Sequence, residues 1–387
     1  MESVDYLIVG AGFAGVVLAE RLASQCGKKC LIVDRRQHIA GNAYDRVDDA
    51  GVLVHDYGPH YFRTNSDRIV EYLSPFTEWH RVNYQILSYV EGDYWPFPIN
   101  LNTFEKLIGR KSSSKEMQSM LDEWKVKIEK AENSEEVIVS QVGQKLYEMF
   151  FRNYTRKQWR REPRELDASV CGRIPIRTDR NDNYLRESFQ ALPRDGYTAM
   201  FEKMLNHPLI EVRLDTEYRK IREKVQFEHL IFTGPIDEYF DYSEGRLPYR
   251  SLRFEPESFD KQQLESRLEI AGKPGFWQPA MQVNYPNEEG FTRIVEIKHA
   301  TGQKCDNTTI VREYPEDYKP GREPYYPIPA TDAQEIYQRY RQRAEYEKNV
   351  SFVGRLATYL YYNMDQVVGM ALSEFEKLKL KSGGPRD

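Results

Sequence analysis

An α/β fold is predicted by three features of this 387-residue sequence. An apolar strand near the N-terminus runs directly into a glycine turn and a helix. Residues 101–165 carry apolar side chains at helical spacing, and segments within 246–339 alternate apolar and polar side chains as antiparallel strands do. Together these features predict a Rossmann-like nucleotide-binding domain that is interrupted by a helical insert and by an antiparallel β-sheet domain.

The glycine turn has the spacing of a dinucleotide-binding motif. The first strand leads into Gly10, Gly12 and Gly15. In this arrangement the first glycine permits a tight turn, the second lets the backbone approach a pyrophosphate, and the third lets the helix pack closely on the strand. A second apolar strand, residues 30–33, ends at Asp34, which is placed to accept hydrogen bonds from a ribose. The sequence therefore predicts a dinucleotide site.

The residues that follow Asp34 favour FAD as the dinucleotide. The basic pair Arg35 and Arg36 is followed by a second turn of small residues that contains Gly41 and Asn42. This order is commoner in two-domain flavoproteins, where the chain lies along an extended FAD. An arginine after the acid would also suit the 2′-phosphate of NADP, but the Asp34 carboxylate would repel that phosphate.

Composition limits the classes of protein to which the chain can belong. The net charge of −5 gives no general attraction for nucleic acid or for an anionic membrane. No apolar run is long enough to span a bilayer, and the first strand starts too early to leave room for a signal peptide. The four cysteines show neither zinc-ligand spacing nor a disulfide framework. We therefore expect a soluble cytoplasmic protein without a metal or a nucleic-acid partner.

The order of patterns along the chain predicts three domains, of which the nucleotide domain is discontinuous. That domain comprises residues 1–80, 192–245 and 340–387. The helical domain comprises residues 101–165, and the sheet domain residues 81–100, 166–191 and 246–339. In the helical domain Asn102 or Thr103 is expected to cap the first helix. Apolar residues spaced by four predict one buried stripe there: Ile138, Val142, Leu146 and Phe150. Residues 167–182 are arginine-rich and polar, and we expect a loop.

Separated motifs occur along nearly the whole chain. They are VGAGFAG, HIAGNAYD, YGPHYFRTN, NYTRKQW, CGRIPIR, FTGPIDEYFDY, LPYRSLRFE, FTRIVEIKH, EPYYPIP and GRLATYLYYNMDQVV. As a set they resemble the FAD-dependent UDP-galactopyranose mutases of bacteria. The resemblance implies interconversion of the pyranose and furanose rings of a UDP-sugar through an adduct between the sugar and N5 of reduced FAD. It also implies NAD(P)H as the reductant and a homodimer.

The resemblance assigns roles to individual residues. His60 would lie beside the isoalloxazine, while Arg173 and Arg250 would hold the diphosphate as catalytic residues. The implied substrate contacts are Arg63, Asn83, Phe150, Tyr154, Trp159, Tyr184, Arg293, Tyr326 and Tyr361. The implied cofactor contacts are Gly10, Gly12, Phe13, Gly15, Asp34, Arg35, Gly41, Asn42, Tyr57, His60, Gly234, Arg355, Asn363 and Met364. For Phe150 the spacing alone equally supports a packing role in the core.

Three positions depart from the family pattern that the motifs resemble. Arg63 stands where a second histidine is usual, and members that act on a 2-acetamido sugar have an arginine there, so UDP-N-acetylgalactosamine is a candidate substrate. Asn363 replaces an aspartate, and Leu185 replaces a phenylalanine.

Two other functions compete with the mutase. An FAD-dependent oxidoreductase of similar domain plan would fit the fold equally well, but it has no need of arginines and tyrosines for a diphosphate. A non-catalytic nucleotide-binding protein would not need both the flavin motifs and the substrate motifs.

Overall fold

The fold is taken from a computed structural model, which describes residues 2–287 and 289–381. The strands in chain order are β1 (Glu2–Val9), β2 (Cys30–Val33), β3 (Asp45–Val47), β4 (Leu53–His55), β5 (Phe62–Thr64), β6 (Trp79–Arg81), β7 (Ile86–Val90), β8 (Asp93–Phe97), β9 (Phe189–Pro193), β10 (Ile210–Arg213), β11 (Val225–Phe232), β12 (Tyr249–Phe259), β13 (Gln282–Asn284), β14 (Arg293–Val295), β15 (Thr308–Asp317), β16 (Tyr326–Pro327) and β17 (Val350–Phe352).

Helices connect these strands. In chain order they are α1 (Phe13–Cys26), α2 (Asp67–Leu73), α3 (Leu101–Ile108), α4 (Ser114–Trp124), α5 (Ser134–Tyr147), α6 (Asn153–Trp159), α7 (Ser169–Gly172), α8 (Tyr197–Leu205), α9 (Tyr218–Ile221), α10 (Ile236–Tyr239), α11 (Lys261–Glu265), α12 (Leu268–Ala271), α13 (Lys298–Thr301), α14 (Thr331–Ala344) and α15 (Met364–Lys381).

A five-stranded parallel sheet forms the nucleotide-binding part of the molecule. Its strand order is β10-β2-β1-β11-β17, and every pairing within it is parallel. All four residues of β2 are buried, as expected for a strand covered on both faces. Helices α1 and α15 pack against each other beside this sheet. The sequence therefore correctly indicates a Rossmann-like arrangement built from distant segments.

A seven-stranded sheet of order β16-β12-β15-β14-β13-β7-β8 forms the second large layer. Its longest pairing joins β12 to β15, from Arg250 opposite Asp317 to Phe259 opposite Thr308. The sheet is mixed rather than purely antiparallel, because β13 runs parallel to β7. These two strands are far apart in the chain, and no local turn constrains their direction.

Two small sheets contain the strands β3 to β6, which follow the glycine-rich turns, together with β9. Strand β9 pairs with both β5 and β6, and β3 pairs with β4. In the first of these sheets Arg63 of β5 lies opposite Gln190 of β9. This pairing ties the YGPHYFRTN motif to the chain that follows residues 167–182.

The helical insert comprises α3 to α6, and its first cap lies two or three residues before the expected one. Asn100 caps α3, since its side chain accepts hydrogen bonds from the backbone N–H groups of Asn102 and Thr103. The four residues of the predicted stripe are buried. Gly143 interrupts α5 with φ of 79°, and a π-helical turn over Glu148–Arg152 follows. Residues 167–182 contain the short helix α7, so the expected loop is only partly irregular.

One hydrophobic core extends from the parallel sheet into the helical insert. It includes buried residues of β1, α1, α5, α8 and α15. The division of the chain into three domains stays a prediction. In the described part of the chain, no helix combines the length and apolarity needed to cross a bilayer.

Replacement of Gly15 by alanine is expected to destabilise the protein. A Cβ atom at Gly15 would lie 2.0 Å from the Gly10 carbonyl oxygen, so α1 would have to move away from β1. Overpacking of this kind costs about 1–3 kcal/mol of unfolding free energy. Urea denaturation of Gly15→Ala measures the loss.

The matched control for this substitution is Gly369→Ala in α15. A Cβ at Gly369 would lie 3.5 Å from Ile69 Cδ1, an ordinary contact. Alanine should therefore keep or raise stability by up to about 1 kcal/mol, through its higher helix propensity. Equal unfolding free energies for the two variants would contradict the close packing at Gly15.

Candidate active site

The first cavity lies at the carboxyl ends of the parallel strands. It is lined by residues that end or follow β1, β2, β11 and β17, among them Gly10, Asp34, Thr233 and Gly354. In open α/β sheets this edge is where ligands bind, because the strand order reverses there and leaves a crevice.

The backbone around the glycine motif leaves room for a ligand with phosphate groups. Gly10 has φ of 105°, and a Cβ at Gly41 would lie 2.9 Å from the Cα of Gly12. Gly12 is the N-cap of α1 and provides no side-chain cap. The first N–H groups of α1 therefore remain available to an anion, and side chains do not occupy the space above them. These features fit the pyrophosphate of FAD.

Asp34 ends β2 as expected and is held by the backbone. Its carboxylate accepts hydrogen bonds from the N–H groups of Ala11, at 2.8 Å, and Arg36, at 2.9 Å. Glu323 joins both following arginines, with distances of 3.1 Å to Arg35 and 2.8 Å to Arg36. This network orders the edge of the cavity where a ribose would lie.

Most residues predicted to contact the cofactor line the first cavity. They are Gly10, Gly12, Phe13, Asp34, Arg35, Gly41, Asn42, His60, Gly234, Arg355 and Met364. Three predicted residues are not among the lining residues. Gly15 packs α1 on β1, the Tyr57 hydroxyl lies 2.6 Å from His38 Nε2, and Asn363 accepts a hydrogen bond from Arg63.

Sequence reasoning missed part of this lining. Arg36, Arg219, Arg222, Glu323 and Tyr325 also line the cavity. Arg36 could have been predicted from the sequence, since it lies two residues after Asp34. The others lie more than 180 residues from the glycine motif, and no local pattern marks them as neighbours of it.

His60 lines the first cavity as a neutral imidazole. Its Nδ1 lies 2.9 Å from the Gly58 carbonyl oxygen, which can only accept, so Nδ1 carries the proton. Burial, together with the neighbouring His55, lowers the pKa of His60 to about 3. Nε2 is therefore an unprotonated acceptor at neutral pH.

The second cavity lies between the helical insert and the seven-stranded sheet. Eight predicted residues line it: Phe150, Tyr154, Trp159, Arg173, Tyr184, Arg293, Tyr326 and Tyr361. Phe150 is both buried and part of the lining, so its two predicted positions are compatible. Other polar residues of the lining were not predicted: Tyr84, Thr155, Gln158, Gln282 and Asn284.

Guanidinium groups surround two phenol rings of this cavity. The rings of Tyr326 and Tyr361 lie 5.3 Å apart. The Cζ atom of Arg173 lies 4.5 Å from the Tyr361 ring centre, and that of Arg355 lies 5.4 Å from it. Arg293 is the third cation, and its Nη2 lies 2.6 Å from the buried Glu313 carboxylate. The cavity therefore offers a site for an anionic ligand.

This positive charge alters the acidity of one tyrosine. Burial by itself would raise the pKa of Tyr361, but Arg173 and Arg355 lower it to about 8. At the adjacent Tyr326 burial dominates and raises the pKa. The two phenols therefore differ in protonation in the alkaline range.

Arg250 does not reach either cavity. Its side chain is 1% exposed, its Nη1 donates to Asp317, and its Nε donates to the Gln158 carbonyl oxygen at 3.0 Å. It borders a separate depression formed with Arg160, Arg246 and Asp317. The structure thus brings Arg293, rather than Arg250, together with Arg173, because Arg250 binds the end of α6 from outside the second cavity.

Asn83 and Arg63 also lie outside the lining of the second cavity. Asn83 is exposed while its neighbour Tyr84 is buried, because successive side chains of an extended segment point in opposite directions. Arg63 contacts Asn363 and Glu187 instead.

The two cavities adjoin at Arg355. This arginine lines the first cavity, and its Cζ lies 5.6 Å and 5.4 Å from the ring centres of Tyr326 and Tyr361 in the second. Its Nη2 also donates to the Tyr362 carbonyl oxygen at 2.5 Å. A dinucleotide in one cavity and an anionic ligand in the other would therefore lie next to each other. This arrangement defines an enzyme of the dinucleotide-dependent α/β class.

The chain belongs to the UDP-galactopyranose mutase family. The family model described as UDP-galactopyranose mutase matches residues 149–361, and a model described as NAD(P)-binding Rossmann-like domain matches residues 8–76. The protein is accordingly a flavin-dependent mutase, an isomerase with FAD as its cofactor.

Relatives of this chain match over nearly their whole length. A probable UDP-galactopyranose mutase of Klebsiella pneumoniae is 35% identical over 96% of this chain and 94% of its own. A dTDP-fucopyranose mutase of Escherichia coli is 33% identical over 97% of this chain and 98% of its own.

Solved structures confirm the fold. A crystal structure of reduced UDP-galactopyranose mutase matches with a TM-score of 0.71 at 15% identity, covering 99% of this chain and 96% of the other. Putrescine oxidase with bound putrescine matches with a TM-score of 0.59 at 12% identity, covering 98% and 99%. At these identities the likeness concerns the fold alone.

One tyrosine is expected to ionise near pH 8, because the pKa of Tyr361 is lowered to about that value. The phenol is neutral below this pH and anionic above it. Absorbance titration of the free protein should show one tyrosinate forming there, ahead of the other tyrosines.

Substitution of each of the two adjacent tyrosines by phenylalanine shows which of them ionises near pH 8. Tyr361→Phe should remove the early step, while Tyr326→Phe should retain it, because burial raises the pKa of Tyr326. An early step that persists in Tyr361→Phe would show that another tyrosine ionises first.

Proposed function

We propose that the protein interconverts the pyranose and furanose forms of UDP-galactose or UDP-N-acetylgalactosamine, with reduced FAD in the first cavity and the nucleotide sugar in the second. The observation that supports this most strongly is the group formed by Arg173, Arg293 and Arg355 around Tyr326 and Tyr361. This group adjoins the dinucleotide cavity through Arg355, so the phosphate-binding end of a nucleotide sugar would lie beside the flavin.

The first cavity would hold FAD through backbone groups and a few side chains. The N-terminus of α1 would face the pyrophosphate, and Asp34 would lie near a ribose. Met364, at the start of α15, would place a helix N-terminus near the flavin, where its partial positive charge favours an anionic ring. When reduced, bound FAD supplies an electron-rich nucleophile for the anomeric carbon of the sugar.

The second cavity would hold the departing nucleotide until the sugar ring has rearranged. Arg173 and Arg293 would bind the diphosphate, and neutral tyrosine hydroxyls would donate to its oxygens. Arg173 is exposed and follows the short helix α7, so it can respond to substrate entry. Arg293 is held by Glu313 and has a fixed position. Arg250 would act only indirectly, by holding the end of α6.

The aromatic end of the second cavity would hold the base. Phe97, Phe150 and Phe151 line it, and the Phe150 ring lies 5.8 Å from that of Trp95. Flat apolar surfaces of this kind suit the stacking of a pyrimidine ring. Gln282 donates to the Asn284 amide oxygen at 2.8 Å and accepts from the Tyr84 hydroxyl at 2.6 Å, so the amide nitrogen of Asn284 would be the donor for a polar edge of the nucleotide.

His60 would act as a hydrogen-bond acceptor beside the flavin. Its Nε2 is unprotonated at neutral pH, and Nδ1 is committed to the Gly58 carbonyl oxygen. We assign it the role of orienting a bound donor, because a pKa of about 3 is too low for a general acid.

The identity of the sugar, the reductant and the assembly are part of the proposal. Arg63 supports a sugar with an additional acceptor group, such as UDP-N-acetylgalactosamine. NAD(P)H would reduce the flavin, and the protein would be a cytoplasmic homodimer. Because one relative is a dTDP-fucopyranose mutase, a deoxythymidine nucleotide is the second candidate for the leaving group.

Putrescine oxidase shares the fold, but a shared fold does not imply a shared reaction. The arginine group of the second cavity distinguishes this chain from an FAD-dependent oxidoreductase. Placing three guanidinium groups around two tyrosines costs electrostatic repulsion, and an uncharged or cationic substrate would not offset that repulsion.

Turnover is expected only with reduced flavin. Purified protein should be yellow, and it should convert a UDP-furanose into its pyranose after dithionite or NAD(P)H has reduced it. Chromatography of a panel of UDP-sugars and dTDP-sugars measures both activity and preference.

The matched control is the same enzyme kept oxidised in air. Equal turnover in the oxidised and reduced states would contradict the mutase mechanism. Consumption of O₂ or net oxidation of a sugar or an amine would support the oxidoreductase instead.

Loss of Arg173 is expected to weaken nucleotide binding and turnover. The Arg173→Ala variant should raise the Kd for UDP at least about tenfold, since hydrogen bonds to charged groups contribute about 1.5–3 kcal/mol. Flavin content should not change. Calorimetric titration with UDP measures the effect.

Two other arginines serve as comparisons in the same titration. Arg161→Ala removes an arginine that pairs with Asp332 outside the second cavity, and it should leave the Kd for UDP unchanged. Arg250→Lys tests the role implied by sequence resemblance. A Kd that rises as much in Arg250→Lys as in Arg173→Ala would restore Arg250 as a direct ligand of the diphosphate.

A further inference from the structure

Helix α6 makes two different contacts with the rest of the molecule. Tyr154, Gln158 and Trp159 line the second cavity. Asn153 and Lys157 contact the chain between β13 and β14 instead. These two residues are four positions apart and therefore lie on one side of the helix. One short helix thus takes part both in the cavity wall and in this second contact.

The Lys157 ammonium group is bound by three backbone carbonyl groups. Its Nζ donates to the carbonyl oxygens of Tyr285, of Glu289 at 2.9 Å and of Phe291 at 3.0 Å. Tyr285 directly follows β13, and Phe291 lies two residues before β14. An ammonium group has three N–H donors, and each of them has an acceptor here. Lys157 therefore joins both ends of the connecting chain to α6.

The acceptors of Lys157 are uncharged, yet the side chain keeps its proton at neutral pH. Burial lowers the pKa of Lys157 to about 8, and the charge of Glu289 opposes that shift. Hydrogen bonds from a charged donor are stronger than those between neutral groups. The contact between α6 and the chain after β13 is therefore a strong one.

A second pair of hydrogen bonds supports the same contact. The Asn153 side chain donates to the Asn287 amide oxygen at 2.9 Å, and Asn287 Nδ2 donates to the Met149 carbonyl oxygen at 3.2 Å. Asn287 is exposed, and both bonds join neutral groups. We therefore expect them to contribute less than the bonds of Lys157.

The strands that flank this connecting chain supply polar residues to the second cavity. Asn284 ends β13 and lies opposite Arg293, which begins β14. Both line the second cavity, as does Tyr154 of α6. Burial raises the pKa of Tyr154, and the charge of Arg293 opposes that rise, so the two side chains are electrostatically close. One wall of the cavity thus comes from α6 and another from β13 and β14, and Lys157 joins these two walls.

We propose that Lys157 is a positioning residue for nucleotide binding, because it fixes α6 against the chain between β13 and β14 and so sets the separation of Tyr154 from Arg293. This inference rests on the proposed function, since the ligand that would contact both walls is the nucleotide diphosphate. Lys157 itself is not among the residues that line the second cavity, and its donors are occupied by carbonyl groups. It would act on the ligand only through the walls that it joins.

Calorimetric titration of the FAD-containing protein with UDP tests this role. Lys157→Met keeps an unbranched apolar side chain but removes all three donors. The Kd for UDP should rise about tenfold, the effect of losing one hydrogen bond between a charged donor and the diphosphate. Lys157→Arg retains the charge and N–H donors, so its Kd should lie closer to that of the wild type.

The matched control on the same helix is Arg156→Met. Arg156 is exposed, and its Nε lies 3.6 Å from the Glu162 carboxylate, away from the carbonyl groups that Lys157 binds. This variant should leave the Kd for UDP unchanged. The FAD content should be the same in all variants, because the residues of α6 do not line the first cavity. A general loss of folding would release the flavin as well.

A double-mutant cycle with Arg293→Lys shows whether Lys157 acts through the wall formed by β13 and β14. Lysine at this position keeps a positive charge beside Glu313 but cannot form a bidentate contact with a phosphate. In the Arg293→Lys background, Lys157→Met should raise the Kd for UDP less than about threefold, because the effects of coupled residues are not additive.

Asn153→Ala replaces Lys157→Met if the latter does not fold. It removes the weaker contact of the same helix with the same chain, so it should raise the Kd for UDP about threefold, the effect of one neutral hydrogen bond. Its effect should nearly disappear in the Arg293→Lys background.

The inference is overturned if Lys157→Met binds UDP as tightly as the wild type, or if its effect is the same with and without Arg293. Failure of the proposed function has a different signature. In that case the wild-type protein itself binds neither UDP nor dTDP, whereas failure of the present inference leaves wild-type binding intact.

Discussion

The site depends on one constraint: several positive charges must be held close together around two phenol rings. Arg173, Arg293 and Arg355 repel one another, and each is stabilised by different means. Arg293 pairs with the buried Glu313, Arg355 donates to backbone carbonyl oxygens, and Arg173 lies over the Tyr361 ring. The arginines and their partners lie in the seven-stranded sheet, in the chain around β16 and α15, and in the segment after α7. The cavity therefore exists only when these parts are assembled.

The first cavity is a property of the fold, whereas the second cavity distinguishes this enzyme from others of the same fold. The first cavity follows from the parallel sheet and its glycine turn, and solved oxidases and a solved mutase share that fold with this chain. The second cavity carries the features that distinguish a nucleotide-sugar enzyme, because its cations and aromatic rings suit a diphosphate joined to a base. Arg355 contributes to both and makes their chemistry interdependent.

Local sequence patterns predicted structure correctly where that structure depends only on residues close together in the chain. The strand, turn and helix around Gly10 to Gly15 and the buried stripe through Phe150 are examples, since neighbouring residues produce them. The cap at Asn100 was missed because several polar residues near the start of α3 are equally good caps by composition. The direction of β13 relative to β7 was missed because it depends on how distant strands align.

Among the site residues, too, some properties follow from local sequence and others only from the folded chain. Arg173 and Arg250 are similar by sequence criteria, since both are arginines within recognisable motifs. Only the folded chain shows that Arg250 holds the end of α6 whereas Arg293 lies with Arg173. Asn83 and Tyr84 differ only in the side of an extended segment to which each points, and that side is set by the sheet.

The sequence by itself determined the dinucleotide-binding strand–turn–helix unit, the parallel and helical segments, and the set of motifs that identifies the family. These features depend on residue types at short spacing, where sterics and hydrophobic periodicity act directly. Tertiary structure alone decided which arginines share a cavity, where the two cavities meet, and that Arg63 pairs with Asn363. Those outcomes depend on residues that are distant in the chain, such as Arg63 and Asn363, which are 300 positions apart and within hydrogen-bonding distance. No local interaction along the chain encodes that proximity.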